Sequence, residues 1–345
     1  SAASDVYKRQ VYDYIMFNVR NGEIYMIKLK TFGSFTVGNG LTSVQEGAWR
    51  SEKLEKLFVY LAMNRNRGVC IEDISEAIWQ VEEETDNPVG ALKNLAYRLR
   101  KALRDASFGE ECIVSVRGGL YKWNDDVEVT IDVEEFDRYI NEAEMAFCRS
   151  KETAIESYEK AIALYHGDFL PLRTDTHWFM TLNAFYHSRY VNTVKALAKL
   201  YIDTGCYEKL EQLCTRAIVY ERSDEQIYSY LIVARMRTKK VQMAFDTYET
   251  AKAIMDKDLG VRKTVMLNKV YEELLSVTKG ASSYNIDEVK DDISEESMNG
   301  VFMCGYPVFK EIYQLEVRKS ARSTIPESTT VFYSWFNEIQ KITMR

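Results

Sequence analysis

Proline is nearly absent from this chain of 345 residues, with 4 copies, and glycine is sparse at 16. Both interrupt helices, so their scarcity argues for long helices and against a loop-rich β protein. No run approaches the roughly 18 apolar residues that a membrane-spanning helix needs. The opening ten residues also lack the apolar stretch of a signal peptide. They have the look of a cloning or sequencing-adaptor scar, and residues 1–24 are expected to be a non-native or disordered lead. Six scattered cysteines (Cys70, Cys112, Cys148, Cys206, Cys214, Cys304) form no CxxC pair and have no histidine at metal-ligand spacing. A disulfide framework and a zinc site are therefore not expected, and reduced thiols in a cytoplasmic protein are. Histidines number three, His166, His177 and His187, at spacings that do not stack ligands on one helix face. Phosphate-cradling glycine loops, nucleotide fingerprints and Ser or Thr nucleophile motifs are missing as well, so neither an enzyme nor a cofactor is expected. A net charge of −7 gives no general attraction for nucleic acid; any basic surface has to be local.

What is present is ordinary core-forming material, 46% hydrophobic and 28% charged, enough for two or three domains. Residues 25–37 alternate as a strand with Gly33 as punctuation, and Gly38-Asn39-Gly40 turns the chain. Leu54, Leu57, Phe58, Leu61 and Ala62 repeat at helical spacing, and a short second helix runs over 72–79 with Ile74, Ile78 and Trp79 on its apolar side. After a polar stretch at 82–87, a third helix opens on Pro88, where the missing N–H costs nothing. Two short strands at 112–116 and 120–123 then flank a glycine-containing turn. Strand, three helices and a hairpin are the plan of a winged helix-turn-helix, over residues 25–126.

Residues 127–278 read as helical repeats of tetratricopeptide type. Tyr207, Leu210 and Ala217 match Val241, Ala244 and Ala251 at a shift of 34 residues, the length of one such helix–turn–helix unit. Ala154, Tyr158, Ala161 and Leu164 mark another helix, for which Gly167 is expected to supply a left-handed stop. Of Tyr158, Tyr165, Trp178, Tyr186, Tyr190, Tyr201, Tyr228 and Tyr230, most should pack helix on helix. An acidic linker is expected at 279–299. Residues 300–345, with a helix near 306–323 and a strand at 330–336, read as a truncated α+β segment that continues past Arg345. The expected fold is thus α+β, then all-α, then a fragment.

The third helix carries the chemistry. Leu92, Leu95, Ala96, Leu99 and Leu103 form a buried stripe. Lys93, Asn94, Tyr97, Arg98, Arg100, Lys101 and Arg104 occupy the remainder, and no acid lies between Pro88 and Arg104. A major groove admits a helix; Arg and Lys pair with guanine edges, Asn with adenine, and further cations neutralise phosphates. Arg117 stands where a wing would enter a minor groove, and Gly118 and Gly119 let backbone approach phosphates. A solvated basic face on an ordinary amphipathic helix is the competing explanation; helix and hairpin together favour double-stranded DNA.

The segments Tyr97-Arg-Leu-Arg-Lys-Ala-Leu103 and Val116-Arg-Gly-Gly-Leu-Tyr121 resemble the recognition helix and wing of the OmpR/PhoB winged-helix family, and Ile74 to Trp79 resembles its second helix. One departure is Leu120, where that family usually has glycine. Three further stretches, beginning Ile131-Asp-Val-Glu-Glu-Phe136, Ala161-Ile-Ala-Leu-Tyr-His-Gly-Asp168 and Ala244-Phe-Asp-Thr-Tyr-Glu249, are similar to the bacterial transcriptional activator domain. Their order, over about residues 25–276, resembles the Streptomyces antibiotic regulatory protein (SARP) family. The resemblance implies an activator that binds direct repeats near promoters, with a repeat domain that mediates self-association or partner contacts. It further implies that the loop at 82–87 sits where such proteins can touch RNA polymerase. Because one module of this kind buries limited area, two copies on tandem half-sites, a homo-oligomer on DNA, are expected. The stretch beginning Gly300-Val-Phe-Met-Cys-Gly-Tyr306 resembles the first helix of a GGDEF-like domain, whose signature loop would lie beyond Arg345; no activity is implied. Two rivals stand beside the DNA-binding regulator: a repeat scaffold whose winged helix does not bind DNA, and a signalling enzyme whose catalytic domain lies elsewhere.

Overall fold

The computed structural model describes residues 26–40, 42–80, 87–108, 113–116, 118–259, 264–281, 314, 330–335 and 338–343. The described residues up to Gly280 belong to one compact unit, and those from Ala281 to a second.

The first unit opens on strands β1 (Ile27–Lys30), β2 (Thr36–Gly38) and β3 (Ser43–Gln45). The run expected as one strand is therefore two, folded back at Gly33, whose φ of +82° only glycine adopts freely. Helices α1 (Glu52–Met63), α2 (Ile71–Ile78) and α3 (Pro88–Asp105) follow. Next come the hairpin strands β4 (Ile113–Ser115) and β5 (Tyr121–Trp123), and then β6 (Val129–Ile131). β6 pairs in parallel with β1, giving a four-stranded sheet of order β3-β2-β1-β6. Alternation puts Ile27, Leu29 and Val37 inward, each almost fully buried.

Among the described residues seven α-helices follow: α4 (Asp132–Ala146), α5 (Lys151–Leu164), α6 (His177–Thr204), α7 (Tyr207–Tyr220), α8 (Glu225–Arg237), α9 (Val241–Leu259) and α10 (Val265–Ala281), whose last residue begins the second unit. From α4 to α9, each helix packs on its neighbour in sequence, as in a solenoid. The 34-residue match falls on α7 and α9, and its Leu210, Ala217, Ala244 and Ala251 are fully buried. Of the eight aromatics read as packing residues, Tyr158, Tyr165, Tyr186, Tyr190, Tyr201 and Tyr228 are buried, and Trp178 and Tyr230 are half-buried against the core. α10 runs past residue 278, where the helical region was expected to end.

The β-rich and helical regions meet in a continuous core. Phe32, two residues past β1, inserts its ring among Phe136, Tyr165 and Tyr186, with centroids 4.9 to 5.7 Å away. Backbone bonds Gly33 N–H to Asp168 O (2.9 Å) and Leu170 N–H to Thr31 O (2.9 Å) bind the same strand end to the segment after α5. Gly167 is not the expected helix stop, because α5 already ends at Leu164 with a Tyr165 cap in extended backbone. A Cβ on Gly167 would come within 3.0 Å of Gly33 Cα, and one on Gly33 within 2.7 Å of His166 O. These two glycines let the backbones touch.

Buried charge lines this seam. Arg173 reaches Glu55 at 2.5 Å, with Glu46 at 3.3 Å and Glu52 at 3.6 Å. Lys56 pairs with Asp175, and Thr176 donates to Ala77 O at 2.8 Å. Asp132 opens α4 and accepts from Thr31 N (2.7 Å), Thr31 Oγ1 (2.6 Å), Phe32 N (2.9 Å) and Val133 N (2.9 Å). Burial pushes its carboxyl above the usual range, and these four donors pull it back.

In the second unit, β7 (Thr330–Trp335) pairs antiparallel with β8 (Glu338–Thr343), from Thr330↔Thr343 to Trp335↔Glu338. β7 falls on the expected strand, and β8 had no counterpart in the sequence reading. The expected loop at 82–87 (Asn87 apart), the expected helix at 306–323 (Gln314 apart), the expected lead at 1–24 and the expected linker beyond residue 281 lie outside the described residues.

Candidate nucleic-acid interface

α3 is set in place by its own ends and by its apolar stripe. Asn87 caps it, its side chain accepting from Gly90 N at 2.9 Å, and Pro88 holds the first turn. Such a cap is worth about 1 kcal/mol. Its buried residues are Leu92, Leu95, Ala96, Leu99 and Leu103, the stripe legible from the spacing alone. At about 100° per residue these five span roughly a third of the helix circumference. The opposite arc holds Lys93, Asn94, Tyr97, Arg98, Lys101 and Arg104, and all six are exposed, Tyr97 at 65%. Between Lys93 and Arg104 the arc is about 16 Å long. Lys93, Arg98 and Lys101 form no ion pair with any acid among the described residues.

Arg100 departs from this set. It projects at the edge of the buried stripe, beside Ala96, is half-buried, and donates from Nη2 to Ile113 O at 3.4 Å. Its role in the fold is to join α3 to the hairpin.

The hairpin is held from three sides. β4 and β5 pair from Ile113↔Trp123 to Ser115↔Tyr121, and Val116 N–H to Leu120 O (2.7 Å) closes the ladder above them. At its root, Tyr121 exchanges both backbone bonds with Val69 in the turn before α2, at 2.7 and 2.8 Å. Trp123 is buried against Phe58, with its indole N–H on Val127 O at 2.9 Å. At the tip, Gly118 and Gly119 have φ of +88° and +82°, a pair that fits glycine. Both are exposed. Arg117 lies outside the described residues. Leu120, the departure from the family pattern, has a place: it covers Gly68, where an added Cβ would meet Leu120 Cδ1 at 3.3 Å. Sequence reading missed this packing and the Val69 bridge, because neither partner lies in the hairpin's own segment.

Among the described residues no cluster of His, Cys, Asp and Glu could hold a metal, and no helix is long and apolar enough to cross a membrane. His187, set aside as a metal ligand in the sequence, bridges Asp168 (2.8 Å) and Glu221 (3.1 Å). Those two carboxylates push its pKa up to about 9, and His187 in turn holds Asp168 below the usual carboxylate range.

The helical region matches the model of the bacterial transcriptional activator domain over residues 131–275. The chain is 23% identical over 238 residues to the transcriptional regulator RedD of Streptomyces coelicolor, covering 68% of this chain and 67% of RedD. In fold it is similar to Mycobacterium tuberculosis EmbR, solved in complex with a low affinity phosphopeptide. That likeness has a TM-score of 0.57 at 15% identity and covers 92% of this chain and 77% of that one. The class so defined is a transcription regulator. More particularly, a β-rich module followed by a bacterial transcriptional activator domain is the architecture of a SARP-type regulator, as the sequence motifs suggested.

Proposed function

We propose that this protein is a sequence-specific DNA-binding activator of the cytoplasm, which reads the major groove with α3 and enters the adjacent minor groove with the β4–β5 hairpin as its wing. The observation that carries this reading is the segregation on α3: one apolar arc is buried, and the other exposes Lys93, Asn94, Tyr97, Arg98, Lys101 and Arg104, with the helix's one acid, Asp105, at its last residue. On that arc Arg98 and Asn94 are the base-reading candidates, since Arg pairs with guanine and Asn with adenine in bidentate fashion. Lys93, Lys101 and Arg104 serve as phosphate contacts, with Arg117, Gly118 and Gly119 at the wing tip. Arg100, turned toward Ile113, acts by holding helix and wing together. A single module of this kind buries limited area, so two copies on tandem half-sites are expected, with RNA polymerase contacted through the loop before α3 or the repeat region.

Selection of bound duplexes, followed by titration against salt, tests the reading. Enriched direct repeats and a log–log salt slope of several phosphates' worth are expected. A strict monomer on one half-site would remove the tandem arrangement. Absence of any salt-dependent shift would favour the protein-binding scaffold.

A further inference from the structure

The turn between α1 and α2 carries two arginines with different surroundings. Arg65 is committed within the fold: its guanidinium grips Glu134 of α4 in bidentate fashion at 2.5 and 2.7 Å, and reaches Ala62 O at 3.2 Å. Arg67 is exposed, and its partner is neutral. Asn64 Oδ1 accepts from its Nε at 3.1 Å and from its Nη2 at 2.9 Å. The amide of Asn64 is itself oriented, because Nδ2 donates to Tyr60 O at 2.8 Å. A backbone bond from Arg67 N–H to Asn64 O (3.0 Å) closes the same turn. The guanidinium is therefore held in direction without being neutralised, and no acid among the described residues pairs with it.

Its position matters as much as its charge. The next residue, Gly68, lies under Leu120, and Val69 exchanges both backbone bonds with Tyr121. Further along, a Cβ on Gly119 at the hairpin tip would meet Ile71 Cδ1 at 3.7 Å. The segment from Arg67 to Ile71 thus runs along the hairpin from root to tip. Any duplex that receives this hairpin in a groove presents a phosphate strand on either side of it, and a pre-oriented Arg fork suits a phosphate in bidentate fashion. We propose that Arg67 is a phosphate-binding residue of the DNA interface, gripping the backbone beside the groove that the wing enters. This rests on the DNA-binding reading above.

Binding of the full chain to a selected duplex and to a random duplex, each titrated from 50 to 200 mM salt, tests it. Loss of one phosphate contact lowers the log–log slope by about 0.9, so the affinity lost across that range shrinks about 3.5-fold for Arg67→Ala. The drop should be alike on both duplexes, so that the specificity ratio stays at the wild-type value, with the melting temperature unchanged. Arg67→Lys keeps a charge and should keep the slope; Arg67→Glu should lower it further than Ala does. If wild type binds with a steep slope and Arg67→Ala matches it, this assignment falls and the DNA reading stands. If wild type binds neither duplex in a salt-dependent way, both fall.

Discussion

Cations are used in two opposite ways in this protein. At the seam between the sheet and the helical region, Arg173 and Lys56 are buried and matched to Glu55 and Asp175. On α3, Lys93, Arg98 and Lys101 face outward and form no ion pair among the described residues. A buried charge requires its partner, because an unpaired one is far too poorly solvated to persist. An exposed charge requires nothing, and for that reason it can serve something outside the chain. The contrast implies that seam substitutions are felt in stability and α3 substitutions in binding. Four substitutions can break or sharpen that division.

The largest effect should come from Arg173→Ala, which leaves Glu55, itself 2% exposed, buried without its counter-charge. A destabilisation of about 3–5 kcal/mol is expected in urea unfolding. Replacing both partners by apolar residues of similar volume should recover most of it; a persistent loss in the double variant would mean that the pair is more than mutually compensating. Arg98→Ala is the counterpart on α3. It should cost about 1–3 kcal/mol of binding to the cognate duplex if the guanidinium reads guanine, and leave stability within about 0.5 kcal/mol of wild type. An equal loss on random DNA would make Arg98 a phosphate contact instead.

Legibility in the sequence follows the same division. The α3 surface could be read because a 3.6-residue period sorts its leucines from its cations within one segment, and the hairpin because two adjacent glycines mark its tip. The seam could not be read. Asp132 finds Thr31 and Phe32 across 100 residues of chain, and nothing local in Ile131-Asp132-Val133 announces that partner. β3 and β6 are three residues each, too short for an alternation signal, and β6 joins the sheet in parallel, a pairing that no turn specifies. Gly167 misled for a related reason. A glycine after a helix suits a left-handed stop, but its actual neighbour, Gly33, is distant in sequence.

His187 tests the seam from its far side, since Asp168 holds both the imidazole and, through its carbonyl, Gly33 N–H. With a folded pKa of about 9 against an ordinary value near 6.5, the imidazolium is favoured by folding. Its contribution is complete below about pH 6.5 and declines as pH rises through about 9. Wild type should therefore exceed His187→Gln in urea midpoint at pH 6 by more than at pH 9.5. A gap independent of pH would assign the histidine a packing role alone.

The smallest effect should be at Arg100, and it separates two residues that the sequence placed together. One long hydrogen bond, 3.4 Å to Ile113 O, ties its guanidinium to the hairpin. Arg100→Ala should cost about 0.5–1.5 kcal/mol of stability, the range of a single net hydrogen bond. Its effect on DNA should be a uniform loss on cognate and random duplexes, because a loosened hairpin weakens positioning without altering what Arg98 reads. A base-specific loss equal to that of Arg98→Ala, with stability unchanged, would return Arg100 to the reading surface and widen the exposed arc of α3 by one residue.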